Sequence, residues 1–368
     1  SRGLGDVYKR QVITTSTVAP GLKRPRLPVL TRTSPIRQNL HILCLERLDP
    51  WSGGNMALRI LVTGGAGFVG SHVADRLIEL GHQVTVLDSL VTGFEANVNP
   101  QARFYQVDIT DESRVAAVFK AFKPEIVIHH AAQMDVRVST HDPIHDARVN
   151  ILGTLNILLN CVDVGTSKMI YASTGGAVHG EALYLPVRED HPINPISQYG
   201  ISKHTVEHYL FLYRHNYGLQ YTILRYPNVY GPRQNPHGEA GVVAIFIGRL
   251  LKSQSCVIYG DGNQTRDYVY VSDIVESNLL ALDRGDGEIL NVGSGVGTSV
   301  NEIYAYLKAI LGTKLEPVYA PRRVGEIEHI SLDPTYAGKV LGWTCRTGLR
   351  EGLTKMADYF RALYDRGE

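Results

Sequence analysis

The chain has 368 residues, 44% of them hydrophobic, and a formal net charge of +1. That length suits one large α/β unit with a smaller second one, and the near-neutral balance argues against nucleic acid or an anionic membrane as a general partner. No apolar run approaches the roughly 18 residues of a membrane span, and Cys44, Cys161, Cys256 and Cys345 are scattered without a CxxC or His/Cys cluster, which suits a reducing cytoplasm and implies no metal.

In chain order, residues 1–55 stand apart. They hold basic residues, Pro and Ser/Thr with only a weak apolar patch at 40–45, so they are read as a disordered leader that is not native to the fold. A basic transit peptide is the rival reading, weakened by Asp6, Glu46 and Asp49. The fold is then expected as a dinucleotide-binding Rossmann part over 56–229 and a smaller α/β substrate part over 230–368, partly interleaved with the first.

Arg59 to Thr63 reads as a short buried strand, and Gly64, Gly67 and Gly70 follow at a spacing of three. A helix then starts, with Val69, Val73, Leu77 and Leu80 on one face and Gly81 at its end. Strand, glycine turn and helix together form a dinucleotide cradle: the turn needs a free backbone, the pyrophosphate approaches the chain closely, and the helix start offers N–H groups to phosphate. A second strand, Gln83 to Leu87, ends in Asp88. A carboxylate about 20 residues past the glycines binds a ribose 2′-OH and repels a 2′-phosphate, which favours NAD over NADP. The alternative for Asp88 is a turn residue at a strand end.

Further strands are expected at 103–107, 125–129, 168–173 and 221–225, with helices between them, giving a doubly wound parallel sheet. The strand from Lys168 ends in Ser173 and Thr174. Hydroxyls at the carboxyl end of a parallel strand face the ligand crevice, so Thr174 or its neighbour Ser173 can bond a substrate hydroxyl and relay its proton. Tyr199 and Lys203 follow, four apart and so on one face of a helix. A phenol is a poor base at neutral pH. An ammonium beside it, with a positive nicotinamide ring, lowers its pKa and makes it a usable acid/base. Beyond Tyr230 the chain turns irregular, with helical stretches near 241–252, 272–284, 299–311 and 348–364 and a late strand at 288–292.

Taken together, LVTGGAGFVGSH (61–72), VDITD (107–111), IHHAAQ (128–133), ASTGGAVHG (172–180), SQYGISK (197–203), RYPNVYGPRQ (225–234) and GDGNQTRDYVYVSD (260–273) resemble the extended short-chain dehydrogenase/reductase family, and within it the UDP-glucose 4-epimerase type. The resemblance runs from Met56 to about Phe360. It implies that Gly64, Gly67, Phe68, Val69, Asp88, Asp108, Ile109, Ala131, Ala132, Gln133, Asn150, Tyr199, Lys203 and Tyr226 hold NAD. It implies that Ser173, Thr174, Asn228, Arg266, Arg323 and Glu326 hold a UDP-sugar, with Ile330 and Ser331 beside the sugar. Thr174, Tyr199 and Lys203 become the catalytic set. Relatives that eliminate water carry an Asp-Glu pair after Thr174; here both places are glycine, Gly175 and Gly176, which leaves oxidation at C4 and return of the hydride to the other face. His179 stands where the family usually has Tyr. The resemblance also implies a homodimer paired through segments near 143–163 and 198–216, with a monomer as the alternative. The sugar stays open between glucose, N-acetylhexosamine and uronate, and two other readings are a net reductase or 5-epimerase on another nucleotide sugar and a non-catalytic NAD-sensing module.

Overall fold

The computed structural model describes residues 57–236, 241–322 and 327–366. The first half runs β1 (Arg59–Thr63), α1 (Phe68–Glu79), β2 (Gln83–Asp88), β3 (Arg103–Gln106), α2 (Glu112–Phe122) and β4 (Ile126–His129). It continues through α3 (Val136–His141), α4 (Pro143–Ala147), α5 (Thr154–Val164), β5 (Lys168–Thr174), α6 (Gly175–Val178), α7 (Gln198–Tyr217) and β6 (Gln220–Tyr226). The second half comprises β7 (Asn228–Tyr230), α8 (Val242–Leu251), β8 (Val257–Tyr259), β9 (Thr265–Tyr270), α9 (Val271–Leu280), β10 (Glu288–Asn291), β11 (Gly297–Ser299), α10 (Val300–Leu311), β12 (Val318–Ala320), α11 (Thr335–Leu341) and α12 (Leu349–Asp365).

Seven strands form one sheet in the order β3-β2-β1-β4-β5-β6-β10, and every pair in it is parallel. The expected doubly wound sheet is therefore present, with strand ends within one residue of those read from the sequence. Central strands of such a sheet are covered on both faces, so they read as continuous apolar runs. Ile60, Leu61 and Val62 on β1 and Ile126, Val127 and Ile128 on β4 are all buried, and each fully buried side chain of this kind contributes on the order of 1.5–3 kcal/mol. One face packs Leu61, Val127, Met169 and Tyr171 under Phe119 of α2, Leu158 of α5 and Leu210 of α7.

The chain order explains where a ligand goes. From β1 the chain builds outward through β2 and β3, then returns to β4 on the other side of β1 and builds the opposite way. A crevice opens at this switch point, outside the carboxyl ends of β1 and β4. The late strand β10 joins the same sheet beside β6, with Glu288 opposite Thr222. Two small sheets, β11-β9-β7 and β12-β8, lie beyond.

The helix expected near 143–163 is divided. Between α4 and α5 the turn widens to a π-helical stretch over Arg148–Gly153. Thr154 Oγ1 donates to Asn150 O at 2.7 Å, and Gly153 lies so close to Ile109 that a Cβ there would stand 2.7 Å from its side chain. Such insertions are frequent at functional sites, and this one presents Asn150 inward.

Candidate active site

The glycine turn after β1 is built tightly against β4. Gly64 adopts φ +71° and lies so near the β4 end that a Cβ would stand 2.6 Å from Ala131 N, so no other residue fits. Its N–H donates to Leu87 O at 2.8 Å, and Gly67 N donates to Gly64 O at 3.1 Å. At Gly70 a Cβ would meet Gly64 O at 2.3 Å, so α1 can start only against a bare backbone. No side chain caps α1, and Gly64, Gly67, Phe68 and Val69 remain partly exposed among buried neighbours. The first-turn N–H groups are thus left to an anion. Asp88 closes the other side: its carboxylate accepts from Ala66 N at 3.0 Å and Leu90 N at 2.8 Å, which fixes it against the turn. A cradle without side chains, a helix start without a cap and a fixed carboxylate fit a dinucleotide with a free ribose diol.

Asp108 and Ile109 follow β3. The Asp108 carboxylate is turned onto Thr110, accepting from its N–H at 2.8 Å and its hydroxyl at 2.7 Å, and Ile109 is buried beneath Gly153. Ala131, Ala132 and Gln133 leave β4 along the crevice. Gln133 N donates to Asn150 Oδ1 at 2.8 Å, and Asn150 Nδ2 lies 2.9 Å from Gln133 O, 3.1 Å from Asp146 Oδ1 and 3.1 Å from Ser202 Oγ. Asn150 therefore ties the β4 loop to the turn of α7 that carries Lys203.

The structure separates Ser173 from Thr174. Ser173 is buried and donates to Glu207 Oε1 at 2.6 Å. Thr174, one residue on, is partly exposed and does not cap the helix that follows. Gly175 is a packing requirement as well as a missing acid: a Cβ there would meet Leu332 Cδ1 at 2.3 Å. Gly176 has open space, its nearest neighbour Thr174 Oγ1 at 3.9 Å.

Tyr199 and Lys203 lie in the first two turns of α7. Ser197 caps this helix by accepting from Gly200 N at 3.1 Å, and a Cβ on Gly200 would stand 2.5 Å from Ala177 O. The helix start is thus pressed onto α6, beside Thr174. Lys203 is buried with Nζ 4.3 Å over the Tyr171 ring. Burial holds its pKa down to about 7, against the pull of Glu207 and Asp146. Burial also pushes the Tyr199 phenol above its ordinary value, and the Asp146 carboxylate adds to this. The sequence reading has Lys203 and a positive nicotinamide ring lowering that phenol; the influences the protein alone exerts on it are desolvation and the Asp146 carboxylate, both raising it.

Tyr226 ends β6 with its phenol engaged inside the protein, accepting from Asn278 Nδ2 at 2.8 Å and 3.1 Å from His130 Nε2. Asn228 opens β7, opposite Tyr268 of β9. Arg266, on β9, donates to Thr265 O at 2.9 Å and Glu328 O at 3.3 Å. Arg323 and Glu326 lie outside the described residues. Ile330 is buried with Val187 and Leu332, and Ser331 O accepts from Val187 N at 2.8 Å. His179 is a core residue, edge-on to His191 at 5.1 Å.

Glu207 was not singled out by sequence reading, although it lies four residues after Lys203 on the same helix face. It receives Ser173, Arg225 Nη2 at 2.7 Å and His204 Nδ1 at 3.0 Å. Desolvation alone would raise its pKa; the hydrogen bonds from His204 and Arg225 prevail and hold it at about 2. Arg225, a lone charge inside an apolar strand, was the available signal, since a buried cation demands a partner.

The sequence profile of the NAD dependent epimerase/dehydratase family matches residues 60–293. A UDP-glucose 4-epimerase of Mycolicibacterium smegmatis is 42% identical over 310 residues, covering 83% of this chain and 99% of that protein. The crystal structure of the Thermotoga maritima UDP-glucose 4-epimerase with UDP-glucose is 48% identical, with a TM-score of 0.83, over 83% of this chain and all of that one. The Thermus thermophilus UDP-glucose 4-epimerase complex with NAD is 44% identical, with a TM-score of 0.79, over 83% of this chain and 99% of that one. On sequence, fold and crevice alike, the chain belongs to the NAD-dependent epimerase/dehydratase family, within the extended short-chain dehydrogenases/reductases.

Proposed function

We propose that this protein is an NAD-dependent isomerase that inverts C4 of a UDP-hexose, of the UDP-glucose/UDP-galactose type, through a transient 4-keto sugar. The observation that carries the reading is the junction of β5 and α7: a free hydroxyl on Thr174, a phenol on Tyr199 and a buried ammonium on Lys203, with Gly175 and Gly176 where an eliminating enzyme needs acids. The similarity to proteins named UDP-glucose 4-epimerase supports it. Bound NAD supplies an acceptor for the C4 hydride that can also give it back.

The chain's own residues supply the rest. Tyr199 takes the proton from O4 as the carbon is oxidised and returns it after the sugar has turned. Thr174 bonds the same oxygen and shortens the proton's path. Lys203, one helical turn from Tyr199, supplies the positive charge that counters the desolvation raising the phenol's pKa. Asp88 selects the cofactor with the free 2′-OH. Asn228 and Arg266 contact the diphosphate, and Arg323 and Glu326 are proposed with them to hold the nucleotide while the sugar rotates, so 230–368 serves as the substrate part. Exposed apolar side chains on neighbouring helices, Leu159 on α5 with Ile201, Phe211 and Leu212 on α7, support a homodimer through this face.

The test is turnover of UDP-glucose by the purified full chain with no cofactor added. Product UDP-galactose, with NAD recovered from the denatured enzyme, is expected. No turnover of UDP-glucose even with NAD supplied would overturn the substrate assignment.

A further inference from the structure

On α7, directly after Lys203, the sequence reads His204-Thr205-Val206-Glu207-His208. Two histidines four apart face one side of a helix, and His-x-x-Glu-His is a zinc-ligating spacing. In this structure the two rings meet: His204 Nε2 and His208 Nε2 are 3.1 Å apart, with ring centroids at 4.6 Å. Two imidazole nitrogens each about 2.05 Å from one ion, at an angle of about 90–109°, stand about 2.9–3.3 Å from each other. The observed separation falls inside that range.

The group behind His204 favours an ion as well. Glu207 is a buried carboxylate that accepts from Ser173 and Arg225. His204 Nδ1 lies 3.0 Å from Glu207 Oε2, on the far side of the ring from the Nε2 that faces His208. A carboxylate behind a histidine's far nitrogen is the usual support of a metal-bound imidazole. With each ring proton on Nδ1, both Nε2 atoms point lone pairs at one place.

We propose that His204 and His208 bind a divalent transition-metal ion of the nitrogen-preferring class, Zn²⁺, Ni²⁺ or Cu²⁺. Among the described residues no third His, Cys, Asp or Glu completes the set, so the ion keeps open positions and exchanges readily. His208 is one turn from Phe211 and Leu212, on the face proposed above for contact between copies. Water or the same pair from a second copy fills the remaining positions. Glu207 does not act as a hydrolytic base, because both its oxygens are held by Ser173, Arg225 and His204.

The experiment is calorimetric titration of the full-chain protein with ZnCl₂, alongside His208→Ala and, as a control on the same helix, His215→Ala. One ion per chain, or one per two chains if the ion is shared, is expected for the wild type and for His215→Ala, with affinity at least tenfold weaker in His208→Ala. Electron paramagnetic resonance with Cu²⁺ should show two coordinated nitrogens in the wild type and fewer in His208→Ala. Equal affinity in wild type and His208→Ala, or no ion uptake by the wild type, would overturn the proposal, and circular dichroism of His208→Ala keeps a folding defect from imitating a lost site.

Discussion

At the scale of single residues, proton transfer and packing fall on neighbouring positions. Tyr199→Phe keeps the ring and removes the transferable proton, so kcat on UDP-glucose should fall by about 10²–10⁴ with NAD content unchanged; a variant within a factor of ten of wild type would remove Tyr199 from the chemistry. Thr174→Ala should lower kcat with little change in stability, and Thr174→Ser should restore most of it. Ser173→Ala should act mainly on stability, since its hydroxyl is committed to Glu207. The two were indistinguishable in the sequence, where both are hydroxyls at a strand end. The distinction comes from which one meets Glu207, a contact 34 residues distant along the chain. The glycines and the Tyr–Lys spacing were legible because each is a local requirement.

At the scale of elements, α7 ties the candidate site to the sheet. Its inner face holds Lys203 and Glu207, and the Glu207–Arg225 pair locks the helix to β6, with both side chains nearly inaccessible to water. Glu207→Ala leaves Arg225 buried without its counter-charge and should cost about 3–5 kcal/mol, measured by urea unfolding with NAD bound. The pH dependence has a definite sign. The folded-state pKa of Glu207, about 2, lies below its ordinary value of 4.5, so the stability it contributes is full above about pH 4.5 and is lost as pH falls toward 2. Glu207→Gln should flatten that part of the acid unfolding profile, and an unchanged profile would show that other carboxylates govern it. Gly175 belongs to this scale too. Gly175→Ala pushes into Leu332 and should cost about 1–3 kcal/mol, and Leu332→Ala in the same chain should relieve part of the added cost. The sequence presented Gly175 as the absence of an acid; its packing role depends on Leu332, far along the chain, and no local pattern carries that.

At the scale of the whole molecule, the parallel sheet was readable because each central strand must bury both faces and each helix one. The small sheets were harder: β7, β8, β11 and β12 are three residues each, too short to show a period. The division of the 143–163 segment by a π-helical stretch was also hidden, since nothing local marks a widened turn. Pairing of copies is tested by Phe211→Asp combined with Leu159→Asp. Sedimentation should move from a dimer to a monomer, and an unchanged value would place any interface elsewhere. The measurement that bears most directly on hydride return at C4 uses UDP-glucose carrying deuterium at that carbon, incubated with the enzyme in ordinary water and followed by NMR. UDP-galactose that keeps its deuterium at C4 is the expected product. Deuterium lost to water would contradict oxidation and re-reduction at that carbon.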